Sequence, residues 1–176
     1  MPTKMTSQIF ATADAISDIN DRVEYLRNNA SQAVKELINV NFNPEIKMLL
    51  PEGRPNFLEG DDKPPTYDDA SLNYEVRRLY LFVEGGSPNL TDLKRETLWI
   101  ELLNSLHGDE ADDLTHMKDR TLHKKYKNIT HEVCHLAFPE FVRQPKPKPV
   151  RNAQGRFITK ENEETPKKKT KRKKKT

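Results

Sequence analysis

The chain carries one cysteine, Cys134, so no intramolecular disulfide and no multi-thiolate zinc ribbon can form, a usage that fits a reducing compartment. Long apolar runs are also missing. No stretch approaches the roughly 18–20 residues of a spanning helix, and residues 1–12 lack the apolar core of a secretion signal. The expectation is a soluble, unsecreted protein with no membrane partner. Glycine is scarce, at six residues, and no G-x₄-G-K-[ST], G-x-G-x-x-G or G-x-S-x-G occurs. The common phosphate-cradling loops and the serine elbow are thereby excluded. Hydrophobic residues make up 34% of the chain and charged ones 32%, which leaves material for one small core.

Charge is abundant, and it is segregated. Residues 166–176 contain eight lysines and arginines and no acid. From Gln144 onward thirteen Lys and Arg stand against three acids, net +10, so a whole-chain charge of +3 leaves −7 on residues 1–143. This pattern predicts a folded acidic body with a solvated cationic arm, and such arms meet polyanions. Pro145, Pro147 and Pro149 alternate with Lys146 and Lys148 as an extended spacer. Asn152–Lys160 reads as a turn followed by strand character, and the chain beyond Glu161 as disordered.

The body reads as mainly α, with six to seven short helices. Ser7 is a candidate cap for a first helix with Ile9, Phe10, Ala13 and Ile16 inward. Ser17 or Asp18 starts a second with Ile19, Val23 and Leu26 on one face and Arg22 and Arg27 away from it. Ser31 starts a third, with Val34, Leu37, Ile38 and Phe42, which stops before Pro44. Prolines and glycines then dominate residues 44–70, an irregular connector packed on the body with room for a short strand. Leu72, Val76, Leu79, Tyr80 and Val83 form the stripe of a helix ending at Gly85-Gly86. Asn89 or Thr91 caps the next, whose face is Leu93, Leu98, Trp99, Leu102, Leu103 and Leu106. Asp109 opens a helix with Glu110, Asp112 and Asp113 as solvated first-turn acids and Ala111, Leu114 and Met117 inward. Thr130 caps the last, with Val133, Cys134 and Ala137 buried and Phe138-Pro139 as its stop. The predicted divisions are 1–43, 44–70, 71–143 and a basic tail at 144–176, with the first and third forming one domain.

Residues 41–53 (NFNPEIKMLLPEG), 75–86 (EVRRLYLFVEGG) and 93–103 (LKRETLWIELL) resemble an uncharacterised family of proteins from T4-like tailed phages, including those of cyanobacteria. Residues 117–120 (MKDR), 124–130 (KKYKNIT) and 137–139 (AFP) extend the similarity over roughly residues 8–142. The resemblance implies a phage protein made in the host bacterial cytoplasm. It implies no activity and no functional residues, and it leaves out the basic tail.

Several constellations invite chemistry. His131, Cys134 and His135 share a helix face as a zinc set would, but no fourth ligand is at hand, so a buried cysteine between surface histidines is the better reading. His107 with Asp109, Glu110, Asp112 and Asp113 could serve a hydrolase, yet a helix first turn already accounts for the acids. No catalytic residue, metal or cofactor is assigned. Two cationic sets in the body suit phosphate: Arg77-Arg78 with Lys94-Arg95, and Lys118, Arg120, Lys124, Lys125 and Lys127 near Tyr126. The chosen nucleic-acid contacts are Lys124, Lys125 and Lys127 together with Lys167, Lys168, Lys169, Lys171, Arg172, Lys173, Lys174 and Lys175. The expected function is a non-enzymatic accessory protein that holds nucleic acid or a nucleoprotein assembly by its tail while its acidic body docks a protein. The alternative is a virion component whose tail faces packaged DNA.

Overall fold

Asp18, Ser31, Thr91 and Thr130 stand where the sequence predicts N-caps, and each accepts a hydrogen bond from the first turn of its helix. The computed structural model describes residues 4–58, 69–143, 150–151 and 157–158. Backbone contacts divide the chain into a unit Met1–Pro145 and a unit Lys146–Thr176. The first is helical: α1 (Thr6–Ala15), α2 (Ile19–Asn29), α3 (Gln32–Phe42), α4 (Leu72–Glu75) running into a 3₁₀ helix (Val76–Phe82), α5 (Asp92–Ser105), α6 (Gly108–Lys118), α7 (Leu122–Lys125) and α8 (His131–Ala137). In the second, β1 (Val150–Arg151) pairs antiparallel with β2 (Phe157–Ile158), Val150 opposite Ile158. The strand character predicted after the turn falls on β2. The polyproline spacer and the run beyond Glu161 lie outside the described residues.

Helix α6 is central and packs on α1, α3, α5 and α7. Its inward residues Ala111, Leu114 and Met117 meet a core that includes Phe10, Leu26, Leu37, Ile38, Leu102 and Leu103, all fully buried. Burying one such leucine or phenylalanine contributes about 1.5–3 kcal/mol, and this is what holds helices too short to survive alone. Helix α2 packs on α1 and on α8, where Arg27 donates to the Leu136 carbonyl at 2.5 Å and the Ala137 carbonyl at 3.3 Å. Arg22 is buried and donates to the Ala13 carbonyl at 3.1 Å and to that of Ile16. The two arginines expected to point away from the packed face are thus C-terminal caps of α1 and α8. Ile19, expected inward, is exposed.

The segment after Ser71 departs most from its expected form. A single α stripe of Leu72, Val76, Leu79, Tyr80 and Val83 is replaced by one α turn and a 3₁₀ helix of three residues per turn. Period 3 buries Val76, Leu79 and Phe82 as one ridge and leaves Tyr80 57% exposed. Phe82 packs edge-on against Trp99, ring centres 4.9 Å apart. Gly85 sits at φ +82° and Gly86 follows, where an added Cβ would lie 1.9 Å from the Tyr80 carbonyl oxygen, so both positions demand glycine. Leu93, assigned to the core face of α5, is 77% exposed; Trp99, Leu102, Leu103 and Leu106 are buried as expected.

Of the connector, residues 44–58 and 69–70 are described, and the room for a short strand is taken there by two isolated bridges, Met48 antiparallel to Val83 and Ala70 parallel to Leu106. Leu49 N donates to the Phe82 carbonyl at 2.7 Å and Glu84 N to the Lys47 carbonyl at 2.9 Å.

Candidate functional site

Helix α6 ends in a Schellman motif: Arg120 N donates to the Met117 carbonyl at 3.0 Å and Thr121 N to that of His116 at 2.8 Å. Arg120 fills the left-handed position at φ 55°, where glycine is the usual occupant. Its guanidinium donates to the Asn43 carbonyl at 3.0 Å and to that of Ile46. Buried Lys118 donates to the Pro51 carbonyl at 2.7 Å and pairs with Asp119, which in turn accepts from Gly53 N at 3.1 Å. Two cations of the candidate phosphate cluster therefore bind the connector's backbone.

Lys125 is engaged too. Its ammonium lies 2.7 Å from Asp113, 3.5 Å from Asp112 and 3.1 Å from the Asp109 carbonyl. Asp113, expected in solvent, is completely buried and also accepts from the Tyr126 hydroxyl at 2.9 Å, while its Oδ2 has no hydrogen-bond partner among the described residues. Burial pushes the Asp113 carboxyl up to about 6, opposed by Lys125. The Tyr126 hydroxyl is held above its ordinary value by burial and by Asp113.

Glu110 is the other first-turn acid that is buried. One oxygen accepts from Thr6 N at 2.8 Å and the other from Leu72 N at 3.2 Å, the first residues of α1 and α4. Neither helix has a side-chain cap from its own N-cap residue, Met5 or Ser71. Ser7, the expected cap of α1, is buried inside the helix. One carboxylate thus caps two helix starts distant in sequence, which no local motif encodes.

The same pattern recurs among the body's other cations. Buried Arg95 donates to the Leu81 carbonyl at 3.2 Å, the Leu90 carbonyl at 3.0 Å and Asp92 at 2.6 Å. Arg78 pairs with Glu75 at 2.9 Å, Lys47 with Glu84 at 3.2 Å and Arg143 with Glu45 at 2.8 Å. Arg54 lies 3.4 Å from Asp112. Among the described residues, Lys94, Lys124 and Lys127 have neither an acid nor a carbonyl partner, and all three are exposed. Of the chosen contacts in the body, Lys124 and Lys127 are free for an anion and Lys125 is tied to carboxylates. Lys167, Lys168, Lys169, Lys171, Arg172, Lys173, Lys174 and Lys175 lie outside the described residues.

The His-Cys-His face does not converge. Cys134 is fully buried and burial pushes its thiol up. His135 Nδ1 donates to the Val142 carbonyl at 2.5 Å, whereas the His131 ring stands edge-on to Phe42 at 5.4 Å and burial lowers its pKa. Among the described residues no three His, Cys, Asp or Glu side chains are grouped to share a metal ion. No described helix is long and apolar enough to cross a membrane.

One surface feature escaped the α-periodic reading of the sequence. Tyr74 and Tyr80, 62% and 57% exposed, flank Arg77, whose guanidinium lies 3.5 Å from the centre of the Tyr74 ring. Arg77 and Tyr80 are three apart in the 3₁₀ helix, the spacing that stacks side chains in one row, and Tyr74 precedes them in the last turn of α4. Beside Tyr80 an open groove of about 500 Å³ is lined by Val40, Ile46, Val76, Leu79 and Val83.

Residues 9–124 match the model of a protein family described as a family of unknown function, DUF6433. No curated protein and no solved structure matches the chain.

Proposed function

The chain belongs to the DUF6433 family, and we propose that it is a non-enzymatic phage accessory protein, made in the host bacterial cytoplasm, that associates with nucleic acid or a nucleoprotein assembly. The lysines and arginine of residues 167–175 are the grip, with Lys124 and Lys127 as auxiliary contacts. The acidic body docks a protein partner. The phage setting rests on the sequence resemblance, and the grip rests on charge. One observation carries the reading: a net +10 from residue 144 onward against −7 before it. The side-chain contacts of the body support it, because arginines and lysines that look available in the sequence bind helix ends, connector carbonyls or acids.

A lysine run has no fixed donors for base edges, so the association is independent of sequence and labile to salt. Neutralising about seven phosphates gives a slope near −6 for log K against log[salt]. The body, repelled by the same polyanion, contributes selectivity through protein contact while the tail raises local concentration. Titration of full-length protein into labelled duplex DNA, single-stranded DNA and RNA at several salt concentrations checks this. A steep slope shared by unrelated sequences supports the reading, and a flat slope or a strong sequence preference contradicts it. A virion component would instead travel with purified particles.

A further inference from the structure

We infer that the groove between α3 and the 3₁₀ helix is where the acidic body receives its partner, a peptide segment presenting one or two bulky apolar side chains next to lysine or arginine. The inference rests on the reading of the body as the partner-docking half of the molecule and assigns that role to a place. The argument begins with backbone period. Because residues 76–82 turn every three residues, Val76, Leu79 and Phe82 face inward, and the neighbouring row carries Arg77 and Tyr80 into solvent, next to exposed Tyr74 in the last turn of α4. An α-helix through the same residues would have turned Tyr80 toward the core.

The groove beside this ridge holds about 500 Å³; its apolar lining is Val40, Ile46, Val76, Leu79 and Val83, and Gln32, Glu36, Arg77 and Glu84 are its polar lining. That volume falls within the roughly 300–1,000 Å³ of recognition pockets and suits apolar anchors. Tyrosine and arginine at its edge are the residue types that dominate binding energy in protein interfaces, since they bury large area at little cost in side-chain entropy. Arg77 already rests over the Tyr74 ring, which lowers the entropy lost on docking.

Charge identifies the flanks. Two carboxylates, Glu36 and Glu84, line the groove against the single guanidinium of Arg77. The Lys47–Glu84 pair is more than half exposed on both sides, so water screens it and an incoming cation can displace Lys47 at small cost. The net charge of −7 on residues 1–143 draws in a cationic segment and repels phosphate. A polynucleotide stacking its bases on Tyr74 and Tyr80 would bring its backbone against Glu84, which makes protein the favoured occupant.

The experiment pans a random peptide display library on the intact full-length chain, then measures Kd of the enriched peptides for that chain and for Tyr80→Ala, Arg77→Ala and Leu93→Ala. Tyr80 and Leu93 are both exposed, so neither change disturbs the core, and Leu93 does not line the groove. The inference predicts enriched peptides with an apolar anchor beside Lys or Arg, at least tenfold weaker on Tyr80→Ala and Arg77→Ala and unchanged on Leu93→Ala. Enriched peptides that bind all four proteins alike overturn the groove and leave docking by the body intact. Failure of any peptide to enrich overturns both. Oligothymidine binding to a chain whose 167–175 cations are glutamine, lost with Tyr80→Ala, would make the ridge a nucleic-acid platform and overturn the assignment.

Discussion

Two acids of the Asp109 cluster show why residue type alone misleads. Glu110, Asp112 and Asp113 read as first-turn acids favoured by the helix dipole, and half-exposed Asp112 behaves so, pairing with Arg54 and Lys125. Glu110 and Asp113 are buried and bonded across the fold. Glu110→Ala strips acceptors from two buried N–H groups and should destabilise the protein by about 3 kcal/mol in chemical denaturation, with Glu110→Gln less harmful because one carbonyl oxygen remains. Asp113 gives a pH signature. Its folded pKa, about 6, lies above the ordinary 3.8, so between these values the folded chain holds a proton the unfolded chain has lost. Its contribution to stability therefore improves as pH falls through 6 and is least favourable above it. Melting curves from pH 7.5 to 5 should show native protein gaining on Asp113→Asn, and parallel curves would refute the assignment.

At the scale of elements, local chemistry was legible and its long-range use was not. Asp18, Ser31, Thr91 and Thr130 announce helices because an N-cap binds within its own first turn. The stops at Pro44 and Pro139 are equally local. Helix α7 has four residues and no cap from its own N-cap residue, Thr121, so no local pattern announces it; its first N–H, that of Leu122, donates to Asn41 Oδ1 at 3.3 Å, a partner 81 residues away. The 3₁₀ segment is ambiguous in the sequence because Val76 and Leu79 fit both periods, and only the fate of Tyr80 and Phe82 separates them. Arg22, Arg27, Lys118 and Arg120 read as surface charge, since nothing local tells a solvated cation from one that reaches a distant carbonyl. Arg120 makes the distinction measurable. Arg120→Ala keeps the left-handed strain and loses the bonds to the connector, whereas Arg120→Gly loses the same bonds and relieves about 1 kcal/mol of strain. Both variants should speed amide exchange at residues 46–53, with the glycine protein the more stable of the two.

At the scale of the whole molecule, charge is sorted twice. The sequence separates a basic end from an acidic body, and that is visible by counting. Within the body, folding then binds most cations to carbonyls and carboxylates, and that required the three-dimensional arrangement. Lys124 and Lys127 keep their freedom while Lys125, between them in sequence, faces Asp113. Changing Lys124 and Lys127 together to glutamine should weaken DNA binding only a few-fold and shift the salt slope by less than about 2, because at most two phosphate contacts are removed. The central claim is that polyanions are held by the basic end and refused by the body. Its most direct test is the DNA affinity, at one low salt concentration, of the native chain and of a full-length variant with Lys167, Lys168, Lys169, Lys171, Arg172, Lys173, Lys174 and Lys175 changed to glutamine. The variant should lose at least a hundredfold in affinity with its melting temperature unchanged; equal affinity and an equal salt slope in the two proteins would contradict the claim.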